Sequence, residues 1–177
     1  MRLLVIRHGE TENNVLHLVQ GVTDSPLTEN GIAETKLLRL KLKEEKIDYV
    51  IASPLGRTRA TAKNLIRDDL PINIDDRLIE RNWGIREKAK LEEVDRVVCW
   101  NYYANSKEGA IEPVQDFVKR IQEFLWETRL KHQDETVLLI THSAVARAIY
   151  YIVNGIPDDG DMTKIKIPNL EIMEYTI

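Results

Sequence analysis

Arg7 and His8 follow the apolar run Leu3-Leu4-Val5-Ile6. Ser53 and Arg57 follow Tyr49-Val50-Ile51-Ala52, and Thr141, His142 and Ser143 follow the run Val137–Ile140. Two imidazoles and two guanidiniums thus stand just beyond three apolar segments. Planar guanidinium forks match the oxygens of a phosphoryl group. Charge-assisted hydrogen bonds contribute about 1.5–3 kcal/mol each, so several of them can hold a phosphate without metal. A neutral imidazole, with a reference pKa of about 6.5, is a competent nucleophile. With the amide of Asn14 and the carboxyl of Glu80, these are the parts of a phosphoryl-transfer site.

Such a site needs elements that bring distant residues together. A short unbroken apolar run reads as a strand buried on both faces. If the three strands are parallel, their C-terminal ends lie together, where open α/β sheets bind ligands. Gly9 permits a sharp turn or close approach directly after His8. The segment Glu10–Leu18 reads as a helical turn or loop, and Gln20–Pro26 as a loop. Thr28 is a good N-cap for a helix over Glu29–Glu45, with Ile32, Ala33, Leu37 and Leu40 on its buried side. Ser53 is expected to cap a helix that has Pro54 at its first position and runs to about Arg67, with Ala62, Leu65 and Ile66 facing in. Arg57 then sits in a first turn, where a cation opposes the helix dipole unless an anion binds beside it.

Ile72-Asn73-Ile74 alternates as a short strand does. Leu91, Val94 and Val98, followed by Trp100-Asn101-Tyr102-Tyr103, suggest a helix and then a packed aromatic patch within 87–104; residues 87–112 are also where a lid would be inserted. Pro113 opens a helix to Lys131 in which Val114, Phe117, Val118, Ile121, Leu125 and Thr128 share one face. Ser143 is expected to cap a helix through Val153, stopped at Asn154-Gly155. Leu170–Ile177 reads as a last strand at a sheet edge. Strands alternating with helices predict a three-layer α/β/α sandwich with a mostly parallel central sheet.

The chain has 177 residues, which fits a single domain spanning 1–177. Its net charge of −4 and absence of a basic stripe argue against a nucleic-acid partner. A mildly acidic protein that binds an anion must gather positive charge locally, as Arg7 and Arg57 would. Cys99 is the only cysteine, so no internal disulfide forms, as in a reducing compartment. No apolar run reaches about 18 residues, so no membrane span is expected. The N-terminal apolar run is too short for a signal peptide, and cytoplasmic residence is the expectation. No His or Cys spacing matches zinc, and there is no P-loop, dinucleotide fingerprint or nucleophile elbow. No metal or cofactor is expected.

The ordered motifs carry a family resemblance. Arg7-His8-Gly9-Glu10-Thr11 with Asn14, Gln20-Gly21, Asp24-Ser25-Pro26-Leu27-Thr28 with Gly31, Ser53-Pro54-Leu55 with Arg57 and Thr61, Leu78-Ile79-Glu80-Arg81 with Gly84, and His142 appear in one order. Together they resemble the histidine phosphatase superfamily, the phosphoglycerate mutase-like proteins. The resemblance implies the same three-layer fold, with His8 as the nucleophile that becomes a phosphohistidine. Arg7, Asn14, Arg57 and His142 would bind the phosphoryl oxygens, joined by Gln20, Gly21, Ser143 and the backbone N–H groups that open the helix after His142. Glu80 is the candidate acid for the leaving oxygen, with Glu10 a weaker competitor.

The resemblance divides between phosphatases and mutases. This chain is short beside the family's cofactor-dependent mutases, with little room after Glu80 for their extra substrate-binding segment. That points to a metal-independent phosphomonoesterase acting on a small phosphorylated metabolite. Glu80-Arg81-Asn82-Trp83-Gly84 also resembles the mutase version of its block, so a phosphoglycerate-type mutase is the second reading. A non-catalytic module that binds phosphate ligands is the third, and it would have no use for Glu80. Where the family often has Gly-Glu-Ser, this chain has Ile111-Glu112-Pro113. Neither the substrate nor the oligomeric state can be read from these residues.

Overall fold

The computed structural model describes residues 1–67 and 69–177. Among them, β1 (Arg2–Arg7), β2 (Tyr49–Ala52), β3 (Ile72–Ile74), β4 (Thr136–Thr141) and β5 (Ile172–Thr176) form one sheet in the order β3-β2-β4-β1-β5. The first four strands are parallel, and β5 runs antiparallel along β1 at an edge. Alternate side chains of β1 and β4 point to opposite faces, as a pleated strand requires. Leu4, Ile6, Leu138 and Ile140 join one apolar layer, and Leu3, Val5, Val137 and Leu139 join the other. After the single-turn helix α1 (Glu12–Val15), the first layer is closed by α2 (Glu29–Lys41) and α3 (Gly56–Leu65). The second is closed by α5 (Val114–Lys131) and α6 (Ser143–Asn154). The expected three-layer sandwich is what forms. None of the helices among the described residues is long and apolar enough to cross a membrane.

Several local expectations need correction. Helix α2 ends at Lys41 and tightens into a 3-10 turn over Leu42–Glu44. Thr28 does cap it, accepting from Gly31 N–H at 2.9 Å. Its buried side, however, is Gly31, Thr35 and Leu38, whereas Leu37 and Leu40 are exposed. Apolar residues lie all round this helix, so periodicity does not choose a face. Close packing does: a Cβ on Gly31 would run into the backbone of Glu10.

Ser53 and Pro54 precede α3, which starts at Gly56 with Leu55 at its N-cap and ends at Leu65. The cap comes instead from Asp24 in a distant loop, whose carboxylate accepts from the backbone N–H groups of Gly56 and Arg57. Helix α6 likewise has His142, not Ser143, at its N-cap. The predicted helix within 87–104 reduces to a 3-10 turn at Leu91–Glu93 and the four-residue α4 (Arg96–Cys99). Leu91 and Val98 are exposed; only Val94 of that predicted face is buried. Helix α5, by contrast, buries all six of the residues expected to share its face.

Candidate active site

The parallel ladder continues one residue past the strands and sets the two histidines side by side. His8 N–H donates to Thr141 C=O at 2.9 Å, and Ser53 N–H donates to Ile140 C=O at 3.0 Å. His8 and His142 meet edge to face with ring centroids 5.3 Å apart. His8 Nδ1 lies 2.8 Å from Gly9 C=O. A carbonyl only accepts, so Nδ1 carries the proton and Nε2 keeps its lone pair. Burial, reinforced by the charges of Arg7 and Arg57, holds the His8 imidazole well below its ordinary value of 6.5. It is therefore neutral at pH 7.

His142 is fully buried behind His8. Arg57 Nε donates to its Nδ1 at 3.2 Å, so the ring proton sits on Nε2, which donates to Ser53 Oγ at 2.7 Å. Burial and the Arg57 charge keep this ring neutral as well. Both of its nitrogens are engaged by the protein itself.

The two arginines differ in what they have left to give. Arg57 also donates from Nη1 to Thr23 C=O and to Asp24 Oδ1, and from Nη2 to Gly21 C=O. Four of its N–H groups are thereby committed, leaving one on Nη2. Asp24 answers the dipole conflict expected for Arg57, placing a carboxylate at the start of α3. Arg7 gives one bond, from Nη1 to Ile167 C=O at 2.7 Å, while its buried Nε has no partner. Burial lowers the Arg7 guanidinium to about 10, still well above neutrality.

Asn14 Oδ1 accepts from Thr11 N–H and from Asn169 Nδ2, which frees the Asn14 amide to donate. The Gln20 side-chain oxygen is buried and unpaired. Gly21 adopts φ +56° beside the Glu87 carboxylate, where a Cβ would collide. Glu80 is buried; its carboxyl accepts from Arg81 N–H at 2.9 Å and from Ala144 N–H at 3.2 Å. One N–H at the start of α6, that of Ala144, is thus taken by Glu80. Burial pushes the Glu80 carboxyl above its ordinary 4.5, against the pull of Arg57 and those two N–H groups. Glu10 faces elsewhere: it accepts from the Thr28 hydroxyl at the cap of α2.

Arg7, His8, Asn14, Arg57, Glu80 and Ser143 line one cavity of about 470 Å³, with Gln20 and Gly21 in the same wall. His142 stands just behind that wall. Trp100 packs on Trp83 and Phe117, as expected, and also faces the cavity. Among the described residues, no three His, Cys, Asp or Glu side chains gather as a metal site requires.

Four residues take positioning roles that the sequence does not disclose: Ser53, Asp24, Glu87 and Asn169. Glu87 accepts from Val22 and Thr23 N–H groups, tying the 20–24 loop to the Glu80 segment. Asn169 also donates to His8 C=O. Only Asp24 and Ser53 lay inside recognised motifs, and neither motif says which atom would be held.

The comparisons with known proteins agree with this geometry. The family model of the histidine phosphatase superfamily (branch 1) matches residues 3–177. Phosphoserine phosphatase 1 of Hydrogenobacter thermophilus is 30% identical over 167 residues, covering 88% of this chain and 77% of that protein. The adenosylcobalamin/alpha-ribazole phosphatase of Salmonella typhimurium is 32% identical over 152 residues, covering 82% of this chain and 75% of the relative. Among solved structures, Bacillus stearothermophilus YhfR superimposes with a TM-score of 0.83 at 26% identity, over 98% of this chain and 89% of that one. With a family match of that extent over this sheet and these two apposed histidines, the chain belongs to the histidine phosphatase superfamily, branch 1.

Proposed function

We propose that the protein is a metal-independent phosphomonoesterase that works through a phosphohistidine on His8. The observation that carries this reading is the 2.8 Å bond from His8 Nδ1 to Gly9 C=O. It leaves Nε2 as the unprotonated atom of a neutral ring that lines the cavity. In the first step Nε2 attacks phosphorus and the P–O ester bond breaks. The carboxyl of Glu80 passes its proton to the departing oxygen, which a raised pKa favours. The unpaired N–H groups of Arg7, the remaining one of Arg57 and the amide of Asn14 receive the phosphoryl oxygens. His142 holds Arg57 through Nδ1 and meets the nucleophile edge to face. In the second step the Glu80 carboxylate takes a proton from water, whose oxygen attacks phosphorus. The P–N bond breaks, releasing phosphate and restoring Nε2.

The substrate class is a small phosphorylated metabolite. Relatives named phosphoserine phosphatase and alpha-ribazole phosphatase support the phosphatase reading. The lone cysteine, Cys99, fits cytosolic residence.

The test is phosphate release from an aryl phosphate in excess EDTA. Wild type should turn over, and His8→Ala should lose about 10⁴-fold or more in kcat/KM. Activity that survives in His8→Ala removes the nucleophile. Activity abolished by EDTA removes metal independence. Inertness of wild type transfers the assignment to a mutase or a phosphate-binding module.

A further inference from the structure

The cavity holds more positive charge than a phosphoryl group requires. Arg7 and Arg57 stand beside His8, where the phosphoryl group binds under the reading above. The same wall also carries Arg96, Arg147 and Lys166, and among the described residues Glu80 is the only carboxylate in it. The chain as a whole has a net charge of −4, so this concentration of cations is local.

Among the described residues, none of the three additional cations is spent on a protein carboxylate. Among the described residues, Arg96 and Lys166 make no side-chain hydrogen bond or ion pair, and Arg147 makes one bond, from Nη1 to Met162 C=O. Arg147 is nevertheless buried, 3% exposed, with its guanidinium 5.2 Å from the Trp100 ring centre. Burial, with Arg96 as a repelling neighbour, brings it down to about 10, and the Glu80 and Asp161 carboxylates and Tyr151, none of them bonded to it, offset this only in part. A buried cation without a counter-charge is costly unless a ligand supplies one. The tryptophans in this wall do not offer an alternative hold. Trp100 is engaged by Arg147 and by Arg81 at 4.7 Å, and Trp83 by Arg81 at 5.5 Å. The selective contacts in this half of the cavity are therefore electrostatic rather than stacking.

We infer that the substrate is a phosphomonoester bearing a second anionic group, a carboxylate or a second phosphate, received by Arg96 and Arg147 with Lys166 beside them. This rests on the phosphoryl group lying at Arg7 and His8. The second anion fixes which way the rest of the substrate leaves the reacting phosphorus, and so presents the ester oxygen to Glu80.

The experiment measures binding in the His8→Ala protein by calorimetry, so that turnover plays no part. Glycerol 3-phosphate is compared with 3-phosphoglycerate, whose second anion is a carboxylate, and with propane-1,3-diol bisphosphate, whose second anion is a phosphate. Phenyl phosphate against 4-carboxyphenyl phosphate repeats the comparison at longer reach. A second anion should tighten binding about tenfold or more in at least one pair, equivalent to about 1.4 kcal/mol. Whichever anion gains more names the source. Adding Arg96→Ala should bring the ratio close to one, and Arg147→Lys should reduce it, since Lys offers a point charge instead of a fork. Arg96 is exposed at the start of α4, so its replacement leaves the core intact. A purely structural effect would weaken both members of a pair alike and preserve the ratio. A ratio near one in every pair, or one unmoved by Arg96→Ala and Arg147→Lys, overturns the inference. Neither result touches the phosphatase reading, which stands or falls on aryl phosphate hydrolysis.

Discussion

The nucleophile and the candidate acid reach the cavity by different means. His8 and His142 extend adjacent strands, and backbone ladders between β1, β4 and β2 set their spacing. Glu80 lies in the segment 76–113, which contains only 3-10 turns and the four-residue α4. There, two arginines, Arg81 buried and Arg120 partly exposed, hold the backbone through its carbonyls. Arg81 donates to Glu112 C=O and Cys99 C=O. Arg120, reaching across from α5, donates to the carbonyls of Arg77, Ile79 and Glu80 and pairs with the Glu112 carboxylate. A sheet locates its residues by many repeated bonds, none of them decisive. The Glu80 segment depends on two side chains, so a single substitution can displace the acid while leaving the nucleophile in place.

That contrast can be broken most sharply at Glu80 itself. Glu80→Gln should lower kcat by about 10²–10⁴-fold with an activated substrate losing least, because general acid catalysis matters most for poor leaving groups. Thermal stability should fall by about 1–3 kcal/mol, because the amide nitrogen cannot accept from whichever of the Arg81 and Ala144 N–H groups it faces. Equal losses for good and poor leaving groups would remove Glu80 as the proton donor.

Arg81→Met comes next. It leaves one buried and one partly buried carbonyl without donors, at about 1–3 kcal/mol each, so a total loss of about 2–6 kcal/mol is expected by denaturant unfolding. Hydrogen exchange should show the loss concentrated in 76–113, with protection of β1 and β4 retained. Uniform loss across the sheet would mean that the two regions unfold as one. Gly84→Ala should be somewhat milder, at about 2 kcal/mol, because it forces a Cβ onto φ +56°. The added carbon also meets the carbonyl of Gly109, so the 84–86 and 108–110 turns should part.

The smallest effect is the response to pH, and its sign distinguishes the two regions. His8 and His142 are held below 6.5 in the folded state, so the unfolded chain takes up their protons first. Their contribution to stability is complete above pH 6.5 and declines as pH falls toward their folded values. Glu80 works in the opposite sense: its contribution is complete below 4.5 and is lost as pH rises through its raised value. The melting temperature of wild type should fall on acidification below pH 6.5, and His142→Gln should flatten that fall. In kcat, loss of neutral His8 sets the acid limb and loss of the Glu80 proton sets the alkaline limb. Glu80→Gln should therefore erase the alkaline limb alone.

The same contrast explains what the sequence discloses. The strands Leu3–Ile6 and Val137–Ile140 are legible because burial on both faces demands unbroken apolar runs. Helix α5 is legible because its apolar residues repeat along one face. The ends of these elements place Arg7, His8 and His142, so the candidate site could be read wherever the sheet determines it. Helix α2 misleads because Leu37 and Leu40 add apolar residues on a face that packs against nothing, while Thr35 takes the buried position. The 87–104 region misleads for a different reason. Its organisation comes from Arg81 and Arg120 bonding to carbonyls far along the chain, and no local pattern encodes such contacts. Asp24 capping α3 from a loop some way upstream is the same kind of contact, as is Asn169 holding Asn14 and the His8 carbonyl.

The strand order also has a consequence for how the chain acquires its structure. β1 is made first, yet it lies between β4 and β5, pairing Arg2 with Thr136 on one side and with Thr176 on the other. During synthesis Leu3–Ile6 emerges long before either partner exists. Pairing of such distant segments is slow, because loop closure precedes any compensating contact. Until then the strand that presents the nucleophile is an unpaired apolar edge, open to other chains. Refolding yield should therefore depend steeply on protein concentration, and the reactive centre should be among the last parts of the molecule to form.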